Sequence, residues 1–218
     1  MGDDFYASPF GAAYSAYMER PRLSRAIAKV VWGGDINPYY ESMGAVAEVP
    51  TTGTVVDCPC GAGPALRAFP PDRALHYVAA DLSPSMLRRA RRRARARGLT
   101  DVEFIEADAT DLPLQPASAD LFLSFWGLHC FADPQGALLE ASRLLKPGAR
   151  LVGASFVRGD DSLRQRFLVR SGRGDFGQVG TRPEVEDWLK AAGFGTSRVR
   201  ASGPMLFFDA QRDADRAA

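Results

Sequence analysis

From Thr54 onward the chain repeats one unit, a short apolar run that ends in an acidic or small residue and is followed by a stretch with helical spacing. TVVDC closes around Asp57, HYVAAD at Asp81 and VEFIEAD at Asp108. ADLFLSF, ARLVGASF and two late runs, Thr196–Ala201 and Met205–Ala210, complete the set. Apolar runs of this length bounded by glycine and proline read as strands buried on both faces. Between them lie four helical stretches. The first runs from Pro64 to Phe69. The second is capped by Ser83, with Pro84 at its first position and Gly98 just past its end. The third opens at Asp133 and Pro134, and the fourth covers Pro183 to Ala192. Alternation of this kind predicts an α/β fold, a doubly wound and mainly parallel sheet of about seven strands with helices on both faces.

No repeat or low-complexity linker divides the chain, so residues 1–218 read as a single domain. Residues 54–157 form its core, and 158–218 supply a loop and the terminal strands. Residues 1–50 carry Tyr14, Tyr17, Trp32, Tyr39 and Tyr40 and read as a helical lid of short helices broken at Pro21, Gly33–Gly34 and Pro38. The glycine-rich segment from Gly159 to Gly180 reads as a loop near the mouth that the lid covers.

In an open parallel sheet the ligand binds beyond the carboxyl ends of the strands, where the strand order reverses. Chemistry is therefore expected at the ends of the first four strands. The first is followed by Cys58-Pro59-Cys60-Gly61-Ala62-Gly63, whose glycines let backbone approach a ligand. Asp81, eighteen residues after Gly63, can accept hydrogen bonds from both hydroxyls of a ribose. Asp108 can accept one from an adenine amino group. A dinucleotide fingerprint would need a third glycine where this chain has Leu66, which argues against a pyrophosphate site.

Twenty-seven basic residues against 26 acidic ones give a net charge of +1, so no global attraction to nucleic acid or anionic lipid is expected. The run from Arg88 to Arg97 is the local exception. On a helix beginning near Pro84 it leaves Leu87, Ala90 and Ala94 as a narrow inward stripe, with the arginines on a solvated face. Its alternative is a nucleic-acid methyltransferase or RNA-binding surface, although nucleic acid is not the expected partner. Cys58, Cys60 and Cys130 form no disulfide framework. The Cys58-x-Cys60 pair can start a metal site, but with only His76 and His129 and no second cysteine cluster no metal is expected. The amino terminus lacks a signal-peptide core and no apolar run reaches spanning length, which predicts a cytoplasmic monomer or homodimer without membrane insertion.

The segments VVDCPCGAG, VAADLSPSMLRRA, VEFIEADATDLPL, ADLFLSFWGLHCFADP and LLKPGARLVGASF resemble successive motifs of the class I S-adenosylmethionine-dependent methyltransferases. The resemblance covers residues 54–157 and is strongest to the small-molecule branch containing the ubiquinone and menaquinone biosynthesis enzymes. It implies S-adenosylmethionine as cofactor and a small, lipophilic or aromatic acceptor. It also implies that Asp57, Gly61 and Gly63 shape the methionine pocket, with Pro59 and Cys60 also among the cofactor-binding residues, that Asp81 holds the ribose, and that Leu82 and Met86 flank the adenine. Asp108 and Ala109 would lie at the adenine edge and Phe125 beside the sulfonium. Pro59 stands where the family usually has glycine and removes an N–H from the turn. The fourth strand ends in Ser124-Phe125-Trp126-Gly127, unlike the Asn- or Asp-Pro-Pro-aromatic sequence of related nucleic-acid amino methyltransferases.

A sulfonium methyl is already activated, so such a protein mainly aligns the acceptor and excludes water. Where the acceptor must lose a proton, His129 is the candidate base, the alternative being a histidine that only hydrogen-bonds a loop. Tyr14, Tyr17, Tyr40 and Trp126 are candidate acceptor contacts. A non-catalytic cofactor-binding protein is the remaining alternative.

Overall fold

The structure is a computed structural model that describes residues 17–18, 20–70, 73–159 and 177–214. Strands β1 (Thr54–Asp57), β2 (His76–Asp81), β3 (Val102–Glu106), β4 (Ala119–Phe125), β5 (Leu145–Phe156), β6 (Thr196–Ser202) and β7 (Met205–Gln211) form one sheet in the order β3-β2-β1-β4-β5-β7-β6. β1 to β5 run parallel, and β7 is antiparallel to both β5 and β6. The order reverses between β1 and β4, so a crevice opens where those two strands end.

Strand side chains alternate between faces, and that alternation divides each apolar run between two cores. Val55, Tyr77, Ala79, Leu121, Leu123 and Val152 join one cluster, with Ile36, Tyr39, Leu66, Leu87, Ala90 and Ala94. Val56, Val78, Ala80, Phe122 and Leu151 join the other, with Leu138, Leu144, Val185 and Leu189. The first face is covered by α1 (Pro21–Ile27), α2 (Asn37–Ser42) and α3 (Pro84–Ala96), the second by α4 (Pro134–Leu144) and α5 (Arg182–Ala191). Full burial of each such Val or Leu side chain stabilises by about 1.5–3 kcal/mol.

The helix starts follow their capping residues. Ser83 Oγ accepts the Met86 N–H at 3.3 Å, with Pro84 in the first turn. Asp133 Oδ1 accepts the Gly136 N–H at 2.8 Å. Thr181 and Glu184 form a reciprocal capping box, which starts α5 one residue before the expected Pro183.

Several expected boundaries move for local reasons. The stretch after Gly63 is a 3-10 turn, Pro64–Ala68, rather than a helix reaching Phe69. Phe69 precedes Pro70, whose ring excludes the helical conformation from it, and it sits at ψ 118°. Pro21 and Pro38 occupy first turns and start helices instead of breaking them. α1 runs on as a π turn, Ala28–Trp32, closed by left-handed Gly33 at φ 66°. β5 begins at Leu145, ahead of the run ARLVGASF, and takes in Lys146-Pro147-Gly148. The strand already pairs at Leu145, and an irregularity shifts its register against β4. The expected loop from Gly159 to Gly180 falls largely outside the described residues, as does Tyr14.

Candidate cofactor and acceptor site

The crevice floor is a turn tied to a carboxylate. Asp81, at the end of β2, accepts the Gly61 N–H on Oδ2 at 2.8 Å and the Ser83 N–H on Oδ1 at 2.9 Å. Gly61 and Gly63 both sit in the left-handed region, at φ 53° and 77°. Their surroundings differ. A Cβ on Gly61 would meet nothing within 4 Å, whereas one on Gly63 would strike Leu66 Cδ1 at 2.7 Å and Ala90 Cβ at 3.2 Å. Gly61 thus faces open space, and Gly63 lets α3 pack against the turn. Cys60 donates its N–H to the Ala80 carbonyl at 2.8 Å, and its side chain is buried in the core, away from the crevice. Burial raises the Cys60 thiol well above its ordinary range.

Pro59 follows a cis peptide bond from Cys58. Its ring presses on Gly127, where an added Cβ would overlap Pro59 Cδ and approach Phe131 Cζ at 2.8 Å. The turn after β1 and the loop after β4 are therefore interlocked through a residue with no side chain.

Asp57 is buried and accepts a hydrogen bond from Tyr77 Oη at 2.8 Å. Burial pushes its carboxyl up to about 7, the Tyr77 bond offsets part of that, and the nearby Asp81 adds to it. Asp108 behaves oppositely. Its Oδ1 accepts both the Thr110 N–H at 2.9 Å and the Thr110 hydroxyl at 2.7 Å, and these bonds hold it below the usual carboxylate range. Leu82 beside Asp81 is 61% exposed, and Met86 is buried beneath it in the first turn of α3. Ala109 is packed into the second core, beside Cys58, Phe122 and Leu128.

At the end of β4 the two chain segments meet in an aromatic cluster. Tyr39 packs edge-on against Phe125 at 5.1 Å and lies 5.5 Å from the Trp126 ring, which also meets Phe156 at 5.1 Å and Phe207 at 6.2 Å. Trp126 has φ 61°, a conformation that costs a bulky residue about 1–2 kcal/mol. Its Nε1 and the Tyr39 hydroxyl are buried without a hydrogen-bond partner. A buried donor left unpaired costs on the order of 1–3 kcal/mol, so the strained Trp126 and these two donors make the end of β4 a candidate ligand site.

The expected acceptor tyrosines divide differently. Tyr40 donates its hydroxyl to the Met18 carbonyl at 3.0 Å, and its ring lies under the guanidinium groups of Arg25 and Arg67. Tyr17 is largely buried, which pushes its phenol up to about 12. Tyr39, one position earlier than Tyr40, is the residue that reaches Phe125 and Trp126. A six-residue helix carries too little periodicity to tell two adjacent tyrosines apart.

His129 is buried, and burial brings its imidazole down to about 3. Its Nδ1 accepts the Phe156 backbone N–H at 3.2 Å and lies 3.2 Å from Ser155 Oγ. A ring nitrogen that accepts a backbone N–H is unprotonated, so the proton of the neutral ring is on Nε2. In this state the Nδ1 lone pair is engaged with the end of β5.

Compared with known proteins, residues 56–153 match a family model described as a methyltransferase domain. A demethylmenaquinone methyltransferase of Clavibacter sepedonicus is 40% identical over 167 residues, 67% of each chain. The chain belongs to the class I S-adenosylmethionine-dependent methyltransferases. A second demethylmenaquinone methyltransferase, from Thermus thermophilus, is 48% identical over 79 residues, so the chain spans about a third of that relative's length, 36%. Among solved structures, phosphoethanolamine N-methyltransferase 2 of Haemonchus contortus in complex with S-adenosyl-L-methionine superposes with TM-score 0.74 at 16% identity. That match covers 98% of this chain and 60% of the other. The YcgJ protein of Bacillus subtilis superposes with TM-score 0.67 at 17% identity, over 80% of this chain and 99% of its own. At such identities these structures establish the shared fold of this methyltransferase family.

Proposed function

We propose that this methyltransferase carries the methyl group of S-adenosylmethionine to a small, lipophilic aromatic acceptor of quinone or quinol type. The observation that carries this reading is the pair of unmet donors, Trp126 Nε1 and Tyr39 Oη, within an aromatic wall at the end of β4. A flat ring bearing oxygens suits that wall, because stacking uses the rings and the two donors take acceptor oxygens. Relatives named demethylmenaquinone methyltransferases support the same acceptor class.

Bound S-adenosylmethionine supplies an electrophilic methyl on sulfur. The residues of the crevice fit it. Gly61 leaves room where a side chain would intrude, and the Asp81 carboxylate, which accepts the Gly61 and Ser83 N–H groups, would face the ribose hydroxyls. Leu82 is exposed for one adenine face, and Asp108 is ionised to accept the adenine amino group. Asp57 is positioned for the ammonium of the methionine portion. Phe125 would border the sulfur, and Trp126, Tyr39 and Phe156 would orient the acceptor and exclude water. His129 acts here as a positioning residue that fixes the backbone carrying Phe156.

No helix among the described residues is long and apolar enough to cross a membrane, and we place the protein on the cytoplasmic side. The test is methyl transfer from radiolabelled S-adenosylmethionine to a short-chain demethylmenaquinol, with hydrophilic amines and phenols as competitors. Label in the organic phase on the quinone ring is expected. Label confined to the amines, or none on any acceptor, would refute the reading.

A further inference from the structure

Twelve of the 27 basic residues lie in three stretches that contain no acidic residue: 20–34, 58–70 and 82–100. The fold brings these stretches onto one face of the sheet, since α1, the 3-10 turn Pro64–Ala68 and α3 all pack on the same core. Their junction is direct. Arg25 of α1 and Arg67 of the turn both lie over the Tyr40 ring, at 5.9 and 5.4 Å, and Arg97 at the end of α3 donates to the Arg67 carbonyl at 3.2 Å. The arginine run of α3 and the basic residues of the amino-terminal helices therefore form one continuous cationic band. Along α3, Arg88, Arg92 and Arg95 recur one turn apart on the exposed side. Among the described residues, no carboxylate pairs with them or with Arg20, Arg22 or Lys29.

The same band carries exposed apolar side chains on α1 and its π turn. Val30 is 74% exposed, Val31 49% and Leu23 41%, and these are three of the five large hydrophobic residues exposed in the described structure. The inner side of this segment is already packed. Ala28 is buried, and the Trp32 ring packs on Phe156 at 5.4 Å, at the edge of the acceptor cluster. A helix with a basic, apolar outer face and a packed inner face has the character of an interfacial element.

We propose that this face docks on an anionic lipid bilayer, with Leu23, Val30 and Val31 entering the headgroup boundary and the arginine band facing lipid phosphates. The docking deepens the proposed function and rests on it for its purpose, because a lipophilic acceptor dissolved in that bilayer would then lie beside the segment that borders Trp126 and Phe156. RNA would engage the arginines but gives no account of three exposed apolar side chains among them. Lipid uses both features.

The experiment is sedimentation of the full chain with vesicles of phosphatidylcholine alone or containing about a third phosphatidylglycerol, with no acceptor present. Binding to the anionic vesicles, weakened by salt and at least about tenfold weaker to the neutral ones, is expected. Val30→Asp with Val31→Asp and, separately, Arg88→Glu with Arg92→Glu and Arg95→Glu should each reduce it about tenfold or more. Both variants should keep the wild-type melting temperature and cofactor heat. No sedimentation, equal binding to both vesicles, undiminished binding by the folded valine variant, or preferential capture by single-stranded RNA would each overturn the proposal. Transfer to a short-chain quinol in detergent is a separate readout, so it can persist when vesicle binding fails.

Discussion

The Gly61 N–H donates to Asp81 Oδ2 at 2.8 Å, so the acid that ends β2 holds open the turn that ends β1. A side chain on Gly61 would meet no atom within 4 Å, but its φ of 53° disfavours any other residue. Gly61→Ala should therefore cost only about 1 kcal/mol of stability. It should weaken S-adenosylmethionine at least about tenfold, an effect of about 1.4 kcal/mol. Thermal unfolding and calorimetry separate the two effects. Normal cofactor affinity in this variant would mean that the space above Gly61 is not the cofactor's.

On the proposed reading, Asp57 trades stability for binding. Its folded carboxyl is raised to about 7 from an ordinary 3.8, so the folded state holds the proton more tightly than the unfolded chain. The protonated form is favourable, and that advantage is lost as pH rises from about 4 to 7. Asp57→Asn keeps a partner for Tyr77 and should be more stable than wild type at pH 8 by a few kcal/mol at most. The same variant should bind S-adenosylmethionine more weakly, since the charge facing its ammonium is gone. Wild-type affinity should rise between pH 6 and 8 as Asp57 ionises. A variant that is no more stable at pH 8, or that binds equally well, would remove Asp57 from this role.

His129 contributes with the opposite sign. Its imidazole is lowered to about 3 from 6.5, so the unfolded chain binds the proton more readily and stability is lost as pH falls from about 6.5 towards 3. Urea titrations across that range should show a steeper acid loss in wild type than in His129→Gln. If the ring acts by holding the Phe156 N–H, turnover in the variant should fall while the shape of its pH profile is kept. Loss of one limb of the profile would restore His129 as a base.

Trp126→Phe keeps the ring against Phe156 and removes the unmet Nε1 donor. We expect KM for a quinol acceptor to rise about tenfold, near the value of one buried hydrogen bond, with cofactor Kd unchanged. An unchanged KM would place the acceptor elsewhere.

The sheet is legible from sequence because the central strands β1, β2 and β4 are largely apolar runs bounded by turns, and Ser83-Pro84 and Asp133-Pro134 mark helix starts. The glycine turn and Asp81 were legible for the same reason, since their chemistry lies in residue type and spacing. What escaped depended on contacts between distant segments. Gly127 is needed because Pro59 presses on it. Tyr39 rather than Tyr40 faces Trp126 because of how α2 rests on β4. Cys60 and Ala109 enter opposite cores because the turn after β1 breaks the alternation that places Val56 and Cys58 together, whereas Ala107 and Ala109 keep it. The arginine run looked like an isolated solvated face because nothing in its own segment revealed that Arg25 and Arg67 extend it.

The measurement closest to the centre of this account is calorimetric titration of S-adenosylhomocysteine into the wild-type chain and into Asp81→Ala. Wild type should bind with one site, and the variant should remain folded but bind about tenfold to a hundredfold more weakly, a loss of about 1–3 kcal/mol from the missing ribose contacts. Absence of binding heat with the wild-type protein, or equal affinity in a folded Asp81→Ala, would contradict it.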